Sequence, residues 1–216
     1  MAKETMLIVP EDRLIGRGNG RACYEHPSDP GLCLKVPHNE RGRRESRRET
    51  VYLRRAARLH GEGIYTNVSR LDGPVPTNLG HAWVAERVRD DPSGRFSALL
   101  LDTLDREALE SDREAWHEAF DDFLRWTARS AIVFRDWSST NLCAKRLSGG
   151  GWRLVVIDGF APKEVLLRWF PTRAHARQRN RHYAELMALD SIERLLALCE
   201  RERRERDASD RRGDPG

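Results

Sequence analysis

The N-terminal third of the chain is written in short apolar runs. Leu14 and Ile15 lead into the glycine-rich stretch GRGNGR at 16–21, and apolar positions return at ACY, 22–24. That pattern predicts a strand, a tight loop and a second strand. PSDPG at 27–31 marks a turn, and LCLKV at 32–36 reads as a short strand closed by Pro37. From about Glu40 to His60 the period lengthens: Leu53, Ala56, Ala57 and His60 fall at helical spacing beneath an arginine-rich outer face. VSRLDGPVPTN and HAWVAERV predict two more strands, the first interrupted by turn residues.

After RDDPSG at 89–94, which reads as a hinge or loop, the pattern becomes helical. RFSALLLDTLDREAL and SDREAWHEAFDDFLRWTARSA are both amphipathic, and Ser111 with Glu114 forms a potential capping box at the start of the second. A loop over 134–141, a strand at LCAKRL, a turn at SGGG and a strand at WRLVVID follow. Residues 163–200 read as helical and arginine-rich. The segment from 201 to 216 has little to bury and is expected to be a charged, disordered tail. The order predicts a two-lobed α+β arrangement: an N-lobe over 1–90 of sheet plus one helix, and a helical C-lobe over 91–200 carrying an inserted hairpin.

Composition narrows the setting. At 216 residues with 39% hydrophobic positions the chain can build a core for one domain or two small lobes. Its 38 basic and 34 acidic residues leave a formal charge of +4, which permits an anionic partner without requiring one. There is no apolar run of the roughly 18 residues that a membrane span needs, and the start MAKETMLIVPEDR lacks the features of a secretory signal. A cytoplasmic location is expected. The four cysteines show no metal-type spacing and read as reduced thiols, with Cys23 and Cys33 the one pair able to face each other across a hairpin. Only four of the 38 bases are lysines. One of them, Lys35, sits inside an apolar strand, where a compact ammonium differs in kind from a guanidinium.

Three residues carry the candidate chemistry of the second half. Asp136 and Asn141 share one loop, and Asp158 ends the strand that pairs with the strand after Asn141. A hairpin brings Asn141 and Asp158 together at its mouth, where an amide oxygen and a carboxylate suit a hard cation such as Mg²⁺. Asp136 is then free to orient or deprotonate a nucleophile. Each of these residues could instead cap a turn. In the first half, Gly16 and Gly18 allow backbone to close over phosphates. Lys35 reaches them from the next strand, and Glu45 and Glu49, one helical turn apart, are its candidate partners.

The ordered set of glycine-rich loop, strand lysine, helix glutamate, D-x-x-x-x-N loop and strand-terminal Asp-Gly resembles the protein-kinase-like fold. More narrowly, LIGRGNGRACYEHP, LCLKV, RRETVYLRR, TNLGHAWVAERVRD, DWSSTNL and LVVIDGF resemble the PhoP regulatory network (YrbL-type) family over roughly residues 10–165. The resemblance implies a kinase-like fold with a small antiparallel N-lobe and a reduced C-lobe, ATP and Mg²⁺ as cofactors, and phosphotransfer. It implies Gly16 and Gly18 as the phosphate-covering loop, Lys35 on the phosphates, and Glu49 rather than Glu45 as its partner. It further implies Asp136 as the catalytic-loop aspartate, and Asn141 and Asp158 as metal ligands. The departures are specific. Phe134 stands where the kinase motif has histidine, Arg21 occupies the third-glycine position, DGF replaces D-F-G, and no A-P-E follows. With so little chain for an activation segment, a small-molecule or other non-protein acceptor is expected. Two other readings remain open at this level: a nucleotide-binding regulator without transfer activity, and a nucleic-acid binder acting through its arginine-rich helices. For the latter, the interleaved glutamates make a solvated, ion-paired face the simpler account.

Overall fold

The computed structural model describes residues 6–164 and 169–212. Its N-terminal part is a five-stranded antiparallel sheet of β1 (Leu14–Arg17), β2 (Arg21–Glu25), β3 (Leu32–Pro37), β4 (Leu71–Thr77) and β5 (Gly80–Glu86), in spatial order β1-β2-β3-β5-β4. β3 is therefore central, and Lys35 stands in the middle of the sheet rather than at an edge. Its register sets Cys23 opposite Lys35 and Cys33 opposite Glu25, so the two thiols are not paired directly across the hairpin, and both are free.

The helix expected after β3 is α1 (Glu40–His60). The Asn39 side chain accepts from the Gly42 N–H at 2.8 Å to start it, and Gly61, at φ 83°, ends it. Glycine is needed at position 42 for another reason. A Cβ there would lie 2.8 Å from the Gly20 carbonyl carbon and closer still to its oxygen. The first turn of α1 thus presses on the glycine-rich hairpin. The Asn39 Nδ2 and His38 bonds to the Asn19 carbonyl, each 3.1 Å, hold the two together.

The apolar pattern of 95–109 forms two short helices, α2 (Leu100–Thr103) and α3 (Arg106–Ser111), not one. The break comes at Asp105, whose carboxylate accepts from the Ala108 N–H at 2.8 Å and caps the second piece. The expected capping box at Ser111 does not form. Ser111 donates its hydroxyl to the Ala108 carbonyl inside α3, and α4 (Arg113–Arg129) starts from Asp112 with no side-chain cap. A hairpin of β6 (Leu142–Arg146) and β7 (Trp152–Val156) follows in the register Leu142↔Val156, then α5 (Arg173–Leu186) and α6 (Ile192–Arg212). Positions 165–168, within the stretch read as helical, lie outside the described residues.

α6 departs from the disordered tail expected after 200. It continues as helix to Arg212 because its charges have partners. Arg203 donates to the carbonyls of Leu101 and Leu104, and Arg206 pairs with Asp102 at 2.7 Å. The start and end of the chain, 1–5 and 213–216, are outside the described residues.

One apolar core runs from the α1 face of the sheet, through Tyr52, Leu53, Trp83 and Ala85, into the helices around Phe123, Phe134 and Leu195. The opposite face of the sheet buries Val9, Tyr24, Leu34 and Ala82. Two buried polar side chains stitch the lobes and the central loop. The Tyr52 hydroxyl donates to the Ala131 carbonyl at 2.6 Å and accepts from the Val133 N–H at 3.1 Å. From α5, Asn180 accepts from the Phe134 N–H and donates to the carbonyls of Thr127 and Ile132, at 2.7–2.9 Å. The chain thus has an α+β architecture, an N-terminal antiparallel sheet with one helix followed by a mostly helical part that carries a hairpin.

The Gly20–Gly42 contact gives a direct test. Gly42→Ala should lower stability by about 1–3 kcal/mol, read as a reduced midpoint in urea, because neither backbone can retreat. Gly63→Ala, with open space around its Cβ position, should change it by less than about 1 kcal/mol.

Candidate functional site

The β6–β7 hairpin sets the C-lobe side of the site. The Ile157 N–H donates to the Asn141 carbonyl at 2.9 Å, so the two ends of the hairpin close next to Asp158. The D-x-x-x-x-N loop folds against the following turn through the Gly159 carbonyl, which accepts from both Arg135 and Asp136 N–H groups at 2.9 and 3.0 Å. Gly159 has φ 76°, and a Cβ on it would lie 2.6 Å from the Asp136 Cβ and 3.1 Å from Asn141 Nδ2. The glycine of the DGF sequence is what lets Asp136, Asn141 and Asp158 converge. Asn141 donates its amide to the Asp136 carbonyl at 3.3 Å.

From β3, Lys35 reaches the end of the hairpin. Its Nζ donates to the Ile157 carbonyl at 2.6 Å and stands 3.5 Å from Asp158 Oδ2. The expected Lys35–Glu49 pairing is replaced. Glu49, 1% exposed, binds Nη1 of Arg21 at 2.6 Å, while Nη2 of Arg21 binds Asp158 Oδ1. Arg21, standing where a third glycine would be, has the reach to span both carboxylates, and its Nη1 also donates to the Ser46 hydroxyl at 3.1 Å. Glu45 turns outward to Arg41, 3.3 Å away. The site is therefore a four-membered ion cluster of Arg21, Lys35, Glu49 and Asp158, with Asp136 and Asn141 beside it. Gly16 is free of close neighbours, and Gly18 donates its N–H to the Arg21 carbonyl at 2.8 Å, which shapes the hairpin above.

The electrostatics follow from burial against charge. Burial pushes Glu49 up to about 7, with the Asp158 charge adding to the rise and Arg21 opposing it. For Asp158, burial alone would raise the carboxyl, but Lys35, then Arg21, hold it below its ordinary value. Partial burial lifts Asp136; the Asn141 amide pulls it down and the Asp158 charge pushes it further up. Arg21 remains a cation, stabilised by both carboxylates against its own burial.

Phe134, in place of the motif histidine, is fully buried and packs on Trp137 and Phe123 with ring centroids 4.9 and 5.8 Å away. Its backbone carbonyl accepts from the Trp137 indole N–H at 3.0 Å. An aromatic wedge thus fixes the loop from below. A further residue, missed in the sequence, fixes it from the side. One carboxylate oxygen of Glu202 on α6 accepts from the Ser139 N–H at 2.8 Å, the Ser139 hydroxyl at 2.5 Å and the Ser138 hydroxyl at 3.2 Å. The only available signal was a glutamate in a charge-alternating tail, which points nowhere by itself.

A family model matches residues 7–190, and its description is PhoP regulatory network protein YrbL. The chain belongs to that family. Two relatives, each named uncharacterized protein YrbL, come from Escherichia coli (strain K12) and Shigella flexneri. Both are 25% identical over 187 residues, covering 83% of this chain and 88% of theirs. Among solved structures, Rad53 1–466 in complex with AMP-PNP is 16% identical with a TM-score of 0.45. The match covers 69% of this chain and 38% of that one. Among the described residues no helix is long and apolar enough to cross a membrane.

Two outcomes test the site's physics. Since Glu49 is raised from 4.5 to about 7, its contribution to stability is complete below about pH 4.5 and is lost as pH rises through 7, when a buried carboxylate must ionise. Glu49→Gln keeps an acceptor for Arg21 and removes the proton. Its melting temperature should therefore vary less between pH 5 and 7.5 than that of the wild type. An equal slope would mean that Arg21 keeps Glu49 ionised throughout. Asp158, being lowered, acts only on the acid side of its ordinary 3.8 and does not enter that window. Separately, Glu202→Ala strands the buried Ser139 N–H and should lower stability by about 1–3 kcal/mol, measured by urea denaturation.

Proposed function

We propose that the protein binds magnesium–ATP in the cleft between its lobes and transfers phosphate to a small-molecule or other non-protein acceptor. The observation that carries this reading is the convergence of Lys35, Asp158, Asn141 and Asp136 around Gly159, beneath a glycine-rich hairpin. The donor set fits the metal. Asn141 spends its amide nitrogen on the Asp136 carbonyl, leaving its oxygen as a hard ligand, and Asp158 adds carboxylate oxygens. No cluster of three or more His, Cys, Asp or Glu able to hold a metal exists among the described residues. Magnesium, which keeps waters and takes substrate phosphates, needs no such cage.

When bound, magnesium–ATP supplies the phosphoryl group and neutralises its charge. This chain's residues supply position and electrostatics. Lys35, aimed across the cleft, presents a compact cation to the phosphates, and Gly16 and Gly18 let the backbone approach them. Asp136 orients the acceptor hydroxyl and takes its proton; its raised affinity for protons makes it the stronger base. Only residues 161–172 separate the DGF turn from α5, which supports a small acceptor rather than a docked polypeptide. A second reading, a nucleotide-binding regulator with little transfer, is favoured by one observation: Arg21 already occupies Asp158.

The test is the melting temperature with and without ATP and Mg²⁺, together with an assay of ATP turnover. At about a hundred times Kd the ligand should stabilise wild type by roughly 2.7 kcal/mol. Lys35→Ala and Asp158→Ala should lose the shift, and Asp136→Ala should keep it while losing turnover. No shift in wild type sinks nucleotide binding. A shift without turnover favours the regulator. Full turnover in Asp136→Ala removes that residue from its role.

A further inference from the structure

At the end of α1 opposite the turn that meets the glycine-rich hairpin lies a cavity of about 440 Å³. One wall is the end of α1 and the segment after it, with His60, Ile64, Thr66 and Asn67. The other is formed by α4, the start of β7 and the start of α5. Three arginines from these three elements, Arg129, Arg153 and Arg173, line it. Several arginines elsewhere pair with carboxylates, among them Arg21 with Glu49, Arg70 with Glu62, Arg87 with Glu25 and Arg206 with Asp102. These three have no ion-pair partner among the described residues. The one acid of the lining, Asp122, is engaged by Arg125.

Behind the wall, the indole N–H groups of Trp126, 8% exposed, and of Trp152 lack an acceptor but have no surface open to the cavity. Trp126 cannot easily turn to find one, being stacked on Phe123 at 5.7 Å, and Trp152 is stacked on Trp116 at 4.6 Å. Three guanidinium groups without a carboxylate partner, half-buried Arg153 and exposed Arg129 and Arg173, set up a positive potential at this cavity, although Nε of Arg129 donates to the Arg125 carbonyl at 3.3 Å. Planar forks of this kind match carboxylate and phosphate oxygens two at a time.

We propose that this cavity is a binding site for a small polyanion carrying at least two phosphate or carboxylate groups, with Arg129, Arg153 and Arg173 as its charged contacts. The site is separate from the nucleotide cleft and does not depend on the function proposed for that cleft. Its walls nevertheless lead there. α1 carries both His60, at the cavity, and Glu49, at the ion cluster, while β7 carries Arg153 and runs on to Asp158.

The test uses the full chain without magnesium, at fixed ionic strength, and reads melting temperature against pyrophosphate in one arm and citrate in the other. Either anion at about a hundred times its Kd should raise the temperature by roughly 5–10 °C. Response to pyrophosphate alone assigns a phosphate ligand, and response to citrate alone a polycarboxylate. Lys35→Ala should keep the shift, because its lesion lies in the other cleft. Arg129→Gln/Arg173→Gln, at two exposed positions, should fold normally by circular dichroism and lose it. A shift that survives in the double variant, or disappears in Lys35→Ala, places the anion elsewhere and overturns the proposal. So does the absence of any shift up to about 10 mM of both anions, or binding confined to a single-stranded oligonucleotide.

Discussion

Everything at the centre of this molecule depends on the carboxylate of Asp158, at the end of a C-lobe hairpin, holding two cations delivered by the N-lobe sheet. Lys35 and Arg21 sit on neighbouring strands, and neither would be stable so far from solvent without it. The cluster therefore does structural work before any ligand arrives: it clamps β2 and β3 to the strand that carries the DGF turn. It also sets the protonation of its own members, since the charge that lowers Asp158 is shared with a glutamate that burial raises. The backbone around it is organised to the same end, with glycine at 159 where two loops must touch and glycine at 42 where helix meets hairpin.

The parts of this arrangement written in local pattern could be read from the sequence. The glycine-rich loop, the lysine in an apolar strand, the D-x-x-x-x-N loop and the strand ending in Asp-Gly each occupy fewer than about ten residues, and the fold class follows from their order. What escaped is long-range or competitive. Arg21 reads as a lost glycine, and nothing in its neighbourhood says that it will meet Glu49, 28 residues away, and Asp158, 137 away. The apolar spacing of Leu100, Leu101, Leu104 and Leu109 fits one helix as well as two, and only the Asp105 cap decides. Alternating charge after residue 200 looks like a solvated tail until Glu202, Arg203 and Arg206 each find a partner in the C-lobe.

That last helix changes how the small C-lobe is understood. The C-lobe supports its central loop from two directions: by an aromatic wedge of Phe134, Trp137 and Phe123 below, and by a single glutamate oxygen at the side. α6 also reaches α2 through Arg203, so the end of the chain ties together the first helix of the lobe and the loop that bears Asp136. A compact lobe of this kind gains rigidity from crossing contacts rather than from additional layers.

The Tyr52 hydroxyl has a consequence for motion. It bonds both the Ala131 carbonyl and the Val133 N–H in a fully enclosed position, so swinging α1 away from the C-lobe would break both bonds with no water at hand to replace them. β1, by contrast, is exposed along its whole length and belongs to the sheet only through β2. α1 is therefore a fixed jaw, and since it also holds the tip of the glycine-rich hairpin through Asn19, the outer strand β1 is the part of the sheet with fewest ties.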